Sequence, residues 1–205
     1  MIGAILLAAG NSRRFGENKL LYEINKTPMY RYMFQNLHQL LQNKFIDKLV
    51  VVTQYDEIQQ EIHSFDENII VVRNSNPEMG ISHSVFLGLE KLNEVCKEEE
   101  ACLFAVADQP YLRLESLEGL ICLWKESDKG IAACANQETI GNPVIFCKKY
   151  FEQLQQLSGD KGGKQVVKRN LRDTILYQIP QKELEDIDVK EILTGEKEWN
   201  RGSLN

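Results

Sequence analysis

The sequence predicts a three-layer α/β fold, in which helices cover both faces of a mostly parallel, twisted sheet. Two features predict it: short, nearly continuous apolar segments recur along the chain, and longer segments with apolar residues at helical spacing separate them. Strands that are apolar on both faces are typical of a sheet that is covered on both faces. We expect strands at residues 2–8, 49–53, 69–72, 102–107, 131–134, 144–146 and 175–179.

The segments between these strands show the apolar periodicity of amphipathic helices. In one of them Val85, Leu89 and Leu92 share a face, whereas Glu90 and Glu94 lie on the outer face. Because helices of this length alternate with strands, successive strands are expected to run in the same direction. We expect helices at residues 29–42, 55–64, 84–95, 115–127, 148–157, 164–170 and 189–193.

Length and composition indicate an ordinary globular protein. The chain has 205 residues, and at about 150 residues per domain this length predicts one domain. We place it at residues 1–193 and expect the polar tail at 194–205 to fray. Hydrophobic residues make up 43% of the chain and charged residues 26%, which excludes a mainly disordered chain. A net charge of −6 without a basic block argues against nucleic acid as a partner.

Membrane and secretion signals are also missing from the sequence. No apolar stretch approaches the roughly 20 residues that span a bilayer. No cation precedes the apolar run at residues 1–9, which argues against a secretory signal and favours a cytoplasmic protein. The odd number of cysteines and the lack of a C-x-x-C pair predict buried, reduced thiols rather than disulfides or a zinc site. The cysteines are Cys96, Cys102, Cys122, Cys134 and Cys147.

The clearest chemical signal follows the first strand, in residues 9–18, which we call the first loop. Small residues there expose backbone N–H groups at the carboxyl edge of the sheet, where open α/β folds bind ligands. Cations within and after the loop would meet a triphosphate, and Gly10 and Gly16 let the backbone approach it. The same residues are also typical of a polar turn with solvated cations. The residues alone therefore leave open whether this segment is a triphosphate-binding loop or a polar turn. The cations are Arg13, Arg14 and Lys19.

Six motifs give the chain a family resemblance. Residues 7–19 read L-A-A-G-x-S-x-R-x-G-x-x-K, which resembles the signature loop of the nucleotidyltransferases that activate molybdopterin. Within that family, L-A-A-G together with G-N-P-V is more similar to the molybdenum cofactor cytidylyltransferases than to the guanylyltransferases, which typically carry L-A-G-G. The resemblance spans residues 2–193 and implies a Rossmann-like nucleotidyltransferase fold. The other five motifs are G-I-S-H-S at 80–84, A-D-Q-P at 107–110, G-N-P-V-I-F at 141–146, G-D-K-G-G-K at 159–164 and D-I-D at 186–188.

The resemblance implies a nucleotide site at the first loop and the segments around it. Its implied catalytic residues are Arg14, Lys19 and Asp108. His83 departs from the family, because relatives usually have a small residue at that position. The implied nucleotide-binding residues are Leu7, Ala8, Ala9, Gly10, Ser12, Arg14, Lys19, Ser82 and Asp108.

Asp108 is the candidate metal ligand. It follows the strand expected at 102–107, so it should lie at the carboxyl edge beside the first loop, where a carboxylate suits a hard cation that also holds phosphate oxygens. Asp188 is the expected second ligand, because two-carboxylate Mg²⁺ sites commonly recruit residues distant in sequence. Helix N-capping is the alternative in both places, for Asp108 ahead of residues 112–117 and for Asp186 or Asp188 ahead of the last helix.

The remaining motifs are assigned to the base, the ribose and the acceptor. Ser82 and Ser84 are expected to donate hydrogen bonds to base or ribose, with N-capping by Ser82 of a helix that begins near Ser84 as the alternative. An ordinary turn is the alternative for the G-N-P-V-I-F motif. Lys164 replaces the usual Arg of the family and lacks its two-pronged fork. The implied pterin-contacting residues are Asn142, Pro143, Asp160, Gly162 and Lys164, with Asp160 more suited to organising its loop than to binding metal.

The implied reaction converts CTP and molybdenum-molybdopterin to molybdopterin cytosine dinucleotide and pyrophosphate, with Mg²⁺ as cofactor. The terminal pterin phosphate attacks the α-phosphate in line, so positioning and electrostatic stabilisation should carry catalysis. Three alternatives stay open: a guanylyltransferase, a sugar- or alditol-phosphate nucleotidyltransferase, and a non-catalytic carrier of the cofactor. A molybdenum hydroxylase apo-enzyme or its chaperone is the expected partner.

Overall fold

The computed structural model describes residues 1–10, 18–63, 65–96, 100–137 and 139–187. Its strands are β1 (Ile2–Ala8), β2 (Glu23–Ile24), β3 (Thr27–Pro28), β4 (Lys48–Thr53), β5 (Ile69–Arg73), β6 (Ala101–Val106), β7 (Ile131–Ala135), β8 (Ile140–Cys147) and β9 (Thr174–Gln178). Seven of them form one sheet in the order β5-β4-β1-β6-β8-β7-β9, and β2 pairs with β3 in a separate hairpin.

The sheet is mostly parallel, as predicted. Strands β5, β4, β1 and β6 run parallel to one another, and β7 is parallel to β9. Strand β8 is antiparallel to both β6 and β7. Because of this reversal, β8 begins at the edge of the sheet where β1, β4 and β6 end. We refer to this edge as the carboxyl edge.

Helices cover both faces of the sheet. Strand β1 shows why, because its residues alternate between the two faces and both sets are buried: Ala4 and Leu6 pack with α1, α2 and α4, and Ile5 packs with α3, α5 and α6. The three-layer α/β architecture is therefore confirmed. The helices are α1 (Met29–Gln42), α2 (Asp56–Ile62), α3 (Ile81–Val95), α4 (Leu114–Glu126), α5 (Phe151–Gln155) and α6 (Lys164–Arg169).

The predicted elements differ from the observed ones at a few places. The expected helix at 148–157 is divided into a 3-10 turn, Lys148–Tyr150, followed by α5. The β2–β3 hairpin was not predicted, although it begins soon after Lys19. Its turn residues Asn25 and Lys26 have φ angles of 50° and 66°, and only the first belongs to the residue types that usually signal such a turn. The helix expected at 189–193 and the tail at 194–205 lie outside the described residues.

All five cysteines are free thiols. Cys96, Cys102 and Cys134 are buried as expected, whereas Cys122 is exposed on α4 and departs from the prediction. Burial raises the pKa of Cys134 to about 12, so this thiol stays protonated at neutral pH. Within the part of the chain that the structure describes, every helix is too short or too polar to cross a membrane.

Candidate functional site

The carboxyl edge brings together three motifs that are far apart in the sequence. Gly10 lies just beyond the end of β1, Asp108 just beyond the end of β6, and Asn142 near the start of β8. The ends of β1 and β6 are joined directly, because Ala107 N donates a hydrogen bond to Leu7 O at 3.1 Å. Strand order therefore places the first loop beside the A-D-Q-P motif, with the G-N-P-V-I-F motif on the neighbouring strand.

Lys19 and Asp108 form an ion pair at this edge. Lys19 Nζ lies 2.7 Å from Asp108 Oδ2, and the two side chains are only 11% and 22% exposed. Lys19 begins a 3-10 turn that Asn18 caps, because Asn18 Oδ1 accepts a hydrogen bond from Leu20 N at 3.1 Å. Little water surrounds the pair, so its attraction is weakly screened. Lys19, which directly follows the first loop, is thus attached to the end of β6.

The end of β4 holds the start of the first loop through three consecutive backbone carbonyls. Gly10 is exposed, and beyond its chain neighbours no described atom lies within 4 Å of the point where a Cβ would stand. Because glycine has no side chain, none stands at position 10 between the backbone and a ligand. The three hydrogen bonds run from Thr53 Oγ1 to Ala8 O at 3.0 Å, from Gln54 Nε2 to Ala9 O at 3.0 Å and from Tyr55 Oη to Gly10 O at 2.8 Å.

Helix α3 begins against the G-D-K-G-G-K motif. Gly80, directly ahead of α3, has a φ of 83°, and a Cβ there would lie 2.5 Å from the carbonyl of Gly159 and 2.7 Å from Asp160 Oδ1. Glycine is required at position 80 on both counts. Ser82 N also donates to Gly159 O at 3.2 Å. Two motifs that the sequence assigned to nucleotide and pterin are therefore in direct contact.

Both serines of the G-I-S-H-S motif are buried near the start of α3. Helix α3 begins at Ile81 rather than near Ser84, so Ser82 lies inside the first turn and the N-capping interpretation is wrong. Ser84 is buried, and its Oγ accepts a hydrogen bond from Asn74 Nδ2 at 3.0 Å. Ser84 thus joins α3 to the end of β5, whereas the side chain of His83 is half-buried in the same turn.

Glu183 is a buried carboxylate that the sequence analysis missed. It is 4% exposed and accepts hydrogen bonds from Arg113 N at 3.1 Å and from Ser116 Oγ at 2.6 Å. Arg113 Nε also pairs with it at 2.7 Å. These contacts hold the N-terminus of α4, which begins at Leu114. The capping alternative for Asp108 is therefore wrong, because Glu183 holds that helix end and Asp108 pairs with Lys19.

The C-terminal part of the described chain crosses the carboxyl edge. Gln109 Nε2 donates to Leu184 O at 3.2 Å, and Ile187 N donates to Asp108 O at 2.9 Å. A Cβ at Gly141 would lie 2.7 Å from the Leu184 side chain, so glycine lets this segment pack closely. The segment therefore contacts both the A-D-Q-P motif and the G-N-P-V-I-F motif.

The residues assigned to the acceptor lie on β8 and around α6. Asn142 and Pro143 are inside β8 and are joined by a cis peptide bond, so the interpretation of this motif as an ordinary turn is wrong. Asp160 is exposed, and Lys164 is the exposed first residue of α6. A Cβ at Gly162 would lie 3.6 Å from the Ile81 side chain, which places the motif against α3.

Part of the predicted site lies outside the described residues, namely Ser12, Arg13, Arg14, Gly16 and Asp188. Among the residues that are described, no group of three or more His, Cys, Asp or Glu side chains could hold a metal ion. Asp108 is thus the predicted metal ligand whose position is known. It is accompanied by the cation of Lys19 and, at the same edge, by the exposed residue Gly10.

This arrangement defines a class of protein. Amide groups and a lysine bind anions, and a partly exposed carboxylate binds a hard cation. A phosphate-bearing ligand that carries a divalent cation fits both parts at the carboxyl edge of an open α/β sheet. The described residues therefore make up a candidate phosphate-binding site, as expected of a nucleotide-using protein.

Comparison with known proteins agrees with this class. Residues 4–174 match the MobA-like NTP transferase domain, and the chain belongs to that family of nucleotidyltransferases. It is 26% identical to the purine catabolism protein PucB of Bacillus subtilis over 91% of both chains. It is 27% identical to a probable molybdenum cofactor guanylyltransferase of Thermococcus gammatolerans, covering 88% of this chain and 86% of the relative.

A third relative has a different acceptor in its name. The chain is 38% identical over 160 residues to a 2-C-methyl-D-erythritol 4-phosphate cytidylyltransferase of Dictyoglomus thermophilum, covering 76% of this chain and 66% of the relative. Among solved structures, a nucleotidyl transferase from Methanothermobacter thermautotroptrophicus matches with a TM-score of 0.76 at 19% identity over 99% of both chains. The nucleotidyltransferase fold implied by the motifs is confirmed.

Proposed function

We propose that the protein transfers CMP from CTP to the terminal phosphate of molybdenum-molybdopterin and releases pyrophosphate. The shielded Lys19–Asp108 pair at the carboxyl edge carries this proposal. It sets a cation for the phosphates beside a carboxylate for a divalent metal, at the edge where Gly10 is exposed. The two motifs that it joins are those that resemble the nucleotide site of the cytidylyltransferases.

The proposed reaction depends more on positioning the two substrates than on proton transfer. The pterin phosphate is already ionised, so its attack needs no strong general base. Its oxygen forms a bond to the α-phosphorus of CTP while the bond to the β-phosphate oxygen breaks, and pyrophosphate leaves. Repulsion between anions dominates the barrier, and Lys19, Arg14 and the amides of the first loop would lower it by electrostatic stabilisation.

Mg²⁺ is the proposed cofactor, and Asp108 fits it as a ligand. Mg²⁺ prefers carboxylate oxygens, and Asp108 stays partly exposed while one of its oxygens holds Lys19. Asp188 is the proposed second ligand. The proposal is supported by the hydrogen bond from Ile187 N to Asp108 O. Ile187 directly precedes Asp188 in the chain. Bound Mg²⁺ would neutralise charge on the phosphates.

The pterin is proposed to bind between β8 and α6. Asn142 and Pro143 lie on the strand next to β6, and the G-D-K-G-G-K motif contributes Asp160, Gly162 and Lys164. Contact of this motif with α3 supports a place close to the nucleotide. Lys164 would meet the pterin phosphate as a point charge. Delivery of the product to a molybdenum hydroxylase apo-enzyme or its chaperone is the proposed next step.

A guanylyltransferase is the second candidate, and the names of the relatives favour it. Four of the similar curated proteins are named probable molybdenum cofactor guanylyltransferase. The L-A-A-G sequence at residues 7–10 favours CTP instead. The Dictyoglomus relative supports CTP as well, and its name adds a sugar-alcohol phosphate as a possible acceptor.

A panel of nucleotides and acceptors tests these candidates through pyrophosphate release in the presence of Mg²⁺. CTP, GTP, ATP and UTP are each combined with molybdopterin, molybdenum-molybdopterin or 2-C-methyl-D-erythritol 4-phosphate. We expect release with CTP and a molybdopterin acceptor. Faster release with GTP would replace the cytidylyl assignment, and release only with the erythritol phosphate would replace the acceptor.

A further inference from the structure

We propose that Thr53, Gln54 and Tyr55 are positioning residues for the bound nucleotide, an inference that rests on the proposed function. These three consecutive residues at the end of β4 hold the carbonyl oxygens of residues 8–10. We call them the β4 clamp. They act through the backbone of the first loop rather than through contact with the reacting atoms.

The clamp determines which atoms the loop presents. In a trans peptide the C=O of one residue and the N–H of the next point in opposite directions. Because the carbonyls of Ala8 and Ala9 are drawn toward β4, the N–H groups of Ala9 and Gly10 point away from it. Neither N–H has a hydrogen-bond acceptor among the residues that the structure describes. The loop therefore presents two donors on the side away from β4.

The three clamp residues also brace one another. Thr53 is fully buried, and its Oγ accepts a hydrogen bond from Tyr55 N at 3.1 Å while it donates to Ala8 O. Gln54 Nε2 donates to Tyr55 Oη at 3.3 Å as well as to Ala9 O. A network closed in this way orients the backbone of residues 8–10 before a ligand arrives, so these residues need little further ordering on binding.

A donor-presenting loop suits a nucleotide. Phosphate oxygens are acceptors, and consecutive backbone amides bind them well. If a carbonyl of the loop rotated toward the ligand, its oxygen would repel the phosphate and an amide would be lost. Removing one clamp bond should therefore weaken nucleotide binding without removing any group that touches the nucleotide.

The first test compares two identical substitutions, Tyr55→Phe and Tyr32→Phe. Each removes one hydroxyl that donates a hydrogen bond to a backbone carbonyl. In the control, Tyr32 Oη donates to Ile24 O in the β2–β3 hairpin at 2.6 Å. Calorimetric titration of the full chain with CTP and Mg²⁺ is expected to show about a three- to tenfold higher Kd for Tyr55→Phe, as for one lost hydrogen bond. Tyr32→Phe should bind CTP like the wild type at a similar melting temperature.

A second test uses rescue by a conservative variant. Thr53→Ser keeps the Oγ and should keep the CTP affinity, whereas Thr53→Val removes the Oγ and should raise KM for CTP more than it lowers kcat. Thr174→Val is the matched control for loss of stability, because Thr174 Oγ1 donates to Asn170 O at 2.9 Å. It should leave the CTP affinity unchanged.

The outcomes separate this inference from the proposed function. If the wild type binds CTP and both Tyr55→Phe and Thr53→Val bind it equally well, the clamp has no positioning role. Equal weakening by Tyr55→Phe and Tyr32→Phe would indicate a general loss of stability and would also overturn it. A wild-type protein that binds no nucleoside triphosphate would overturn the proposed function and this inference with it.

Discussion

Two lysine–aspartate pairs at opposite edges of the sheet have the same length and different surroundings. At the carboxyl edge, Lys19 Nζ lies 2.7 Å from Asp108 Oδ2, and at the other edge Lys149 Nζ lies 2.7 Å from Asp173 Oδ2. The lysine side chain is 11% exposed in the first pair and 59% exposed in the second. The two pairs therefore have the same N–O distance and differ in how far their lysines are exposed to water.

What the pairs connect does distinguish them. Asp173 also accepts a hydrogen bond from Tyr150 Oη at 2.5 Å, and a Cβ at Gly130 would lie 2.6 Å from Asp173 Oδ2. This second pair fastens the end of β8 to the start of β9. The first pair instead attaches Lys19, which directly follows the first loop, to the end of β6. The two pairs therefore differ in what they connect: one lies at the candidate site, and the other joins two strand ends at the opposite edge.

Removing the two carboxylates one at a time should give the largest contrast. Asp108→Asn hardly changes volume but removes an anionic metal ligand, so kcat/KM for CTP is expected to fall by at least about 100-fold. Asp173→Asn should keep turnover within about twofold, because it lies at the opposite edge. Pyrophosphate release measures both variants, and a melting curve confirms that each is folded. An Asp108→Asn variant that melts earlier but keeps its turnover would make the first pair structural.

Removing the two lysines should give a smaller contrast of the same kind. Lys19→Ala is expected to raise KM for CTP by roughly 5- to 150-fold and to slow the chemical step, because a shielded phosphate contact is lost. Lys149→Ala should leave both kinetic constants close to those of the wild type. Steady-state kinetics with varied CTP provide the measurement. Similar kinetic losses in the two variants would remove the distinction between the pairs.

A third lysine tests whether the acceptor has its own cation. Lys164→Ala should weaken pterin binding by roughly tenfold and leave CTP binding unchanged, because Lys164 belongs to the motif assigned to the acceptor. Lys164→Arg should hold or improve pterin binding if an arginine fork fits there. Separate titrations with CTP and with molybdopterin measure this. Weaker CTP binding with unchanged pterin binding would show that the acceptor site is misplaced.

The smallest effect concerns stability at the other edge. Hydrogen bonds from Lys149 and Tyr150 lower the pKa of Asp173 from 3.8 to about 2. Because the pKa is lower in the folded state, the pair stabilises the fold fully above about pH 4 and loses this contribution as the pH falls toward 2. Asp173→Asn should cost about 1 kcal/mol at pH 6, after allowance for solvent screening, and almost nothing at pH 2.

Urea denaturation of the wild type and of Asp173→Asn at both pH values checks this expectation. Asp56→Asn is a suitable control, because Asp56 pairs with Arg73 at an exposed site and its substitution should change stability little. The same loss of stability for Asp173→Asn at pH 6 and at pH 2 would contradict the assignment.

The fold could be predicted because its strands are buried on both faces. Val50, Val51 and Val52 have exposures of 0%, and a run of this kind is recognised from composition alone. The direction of β8 could not be predicted in this way, because an apolar segment has the same composition in a parallel and in an antiparallel strand. The β2–β3 hairpin escaped because each of its strands is only two residues long.

The sequence predicted that Asp108 would lie at the carboxyl edge beside the first loop, and its ion pair with Lys19 agrees with that position. The chemical roles assigned to the two residues stay predictions. Glu183 and Gln54 were missed for a physical reason. Both act by hydrogen bonds to groups far away in the sequence, Glu183 to the start of α4 and Gln54 to the carbonyl of Ala9. Such partners are chosen by tertiary packing, and a lone polar residue at the end of a strand or in a loop does not indicate them.

The central claim is that the protein transfers a cytidylyl group to molybdopterin, and a direct competition tests it best. Equal concentrations of CTP and GTP are supplied together with Mg²⁺ and molybdenum-molybdopterin, and the pterin product is identified by mass spectrometry. The account predicts the cytosine dinucleotide as the main product for the wild type and almost none for Asp108→Asn. A wild-type product that is mainly the guanine dinucleotide, or that carries no nucleotide, would contradict it.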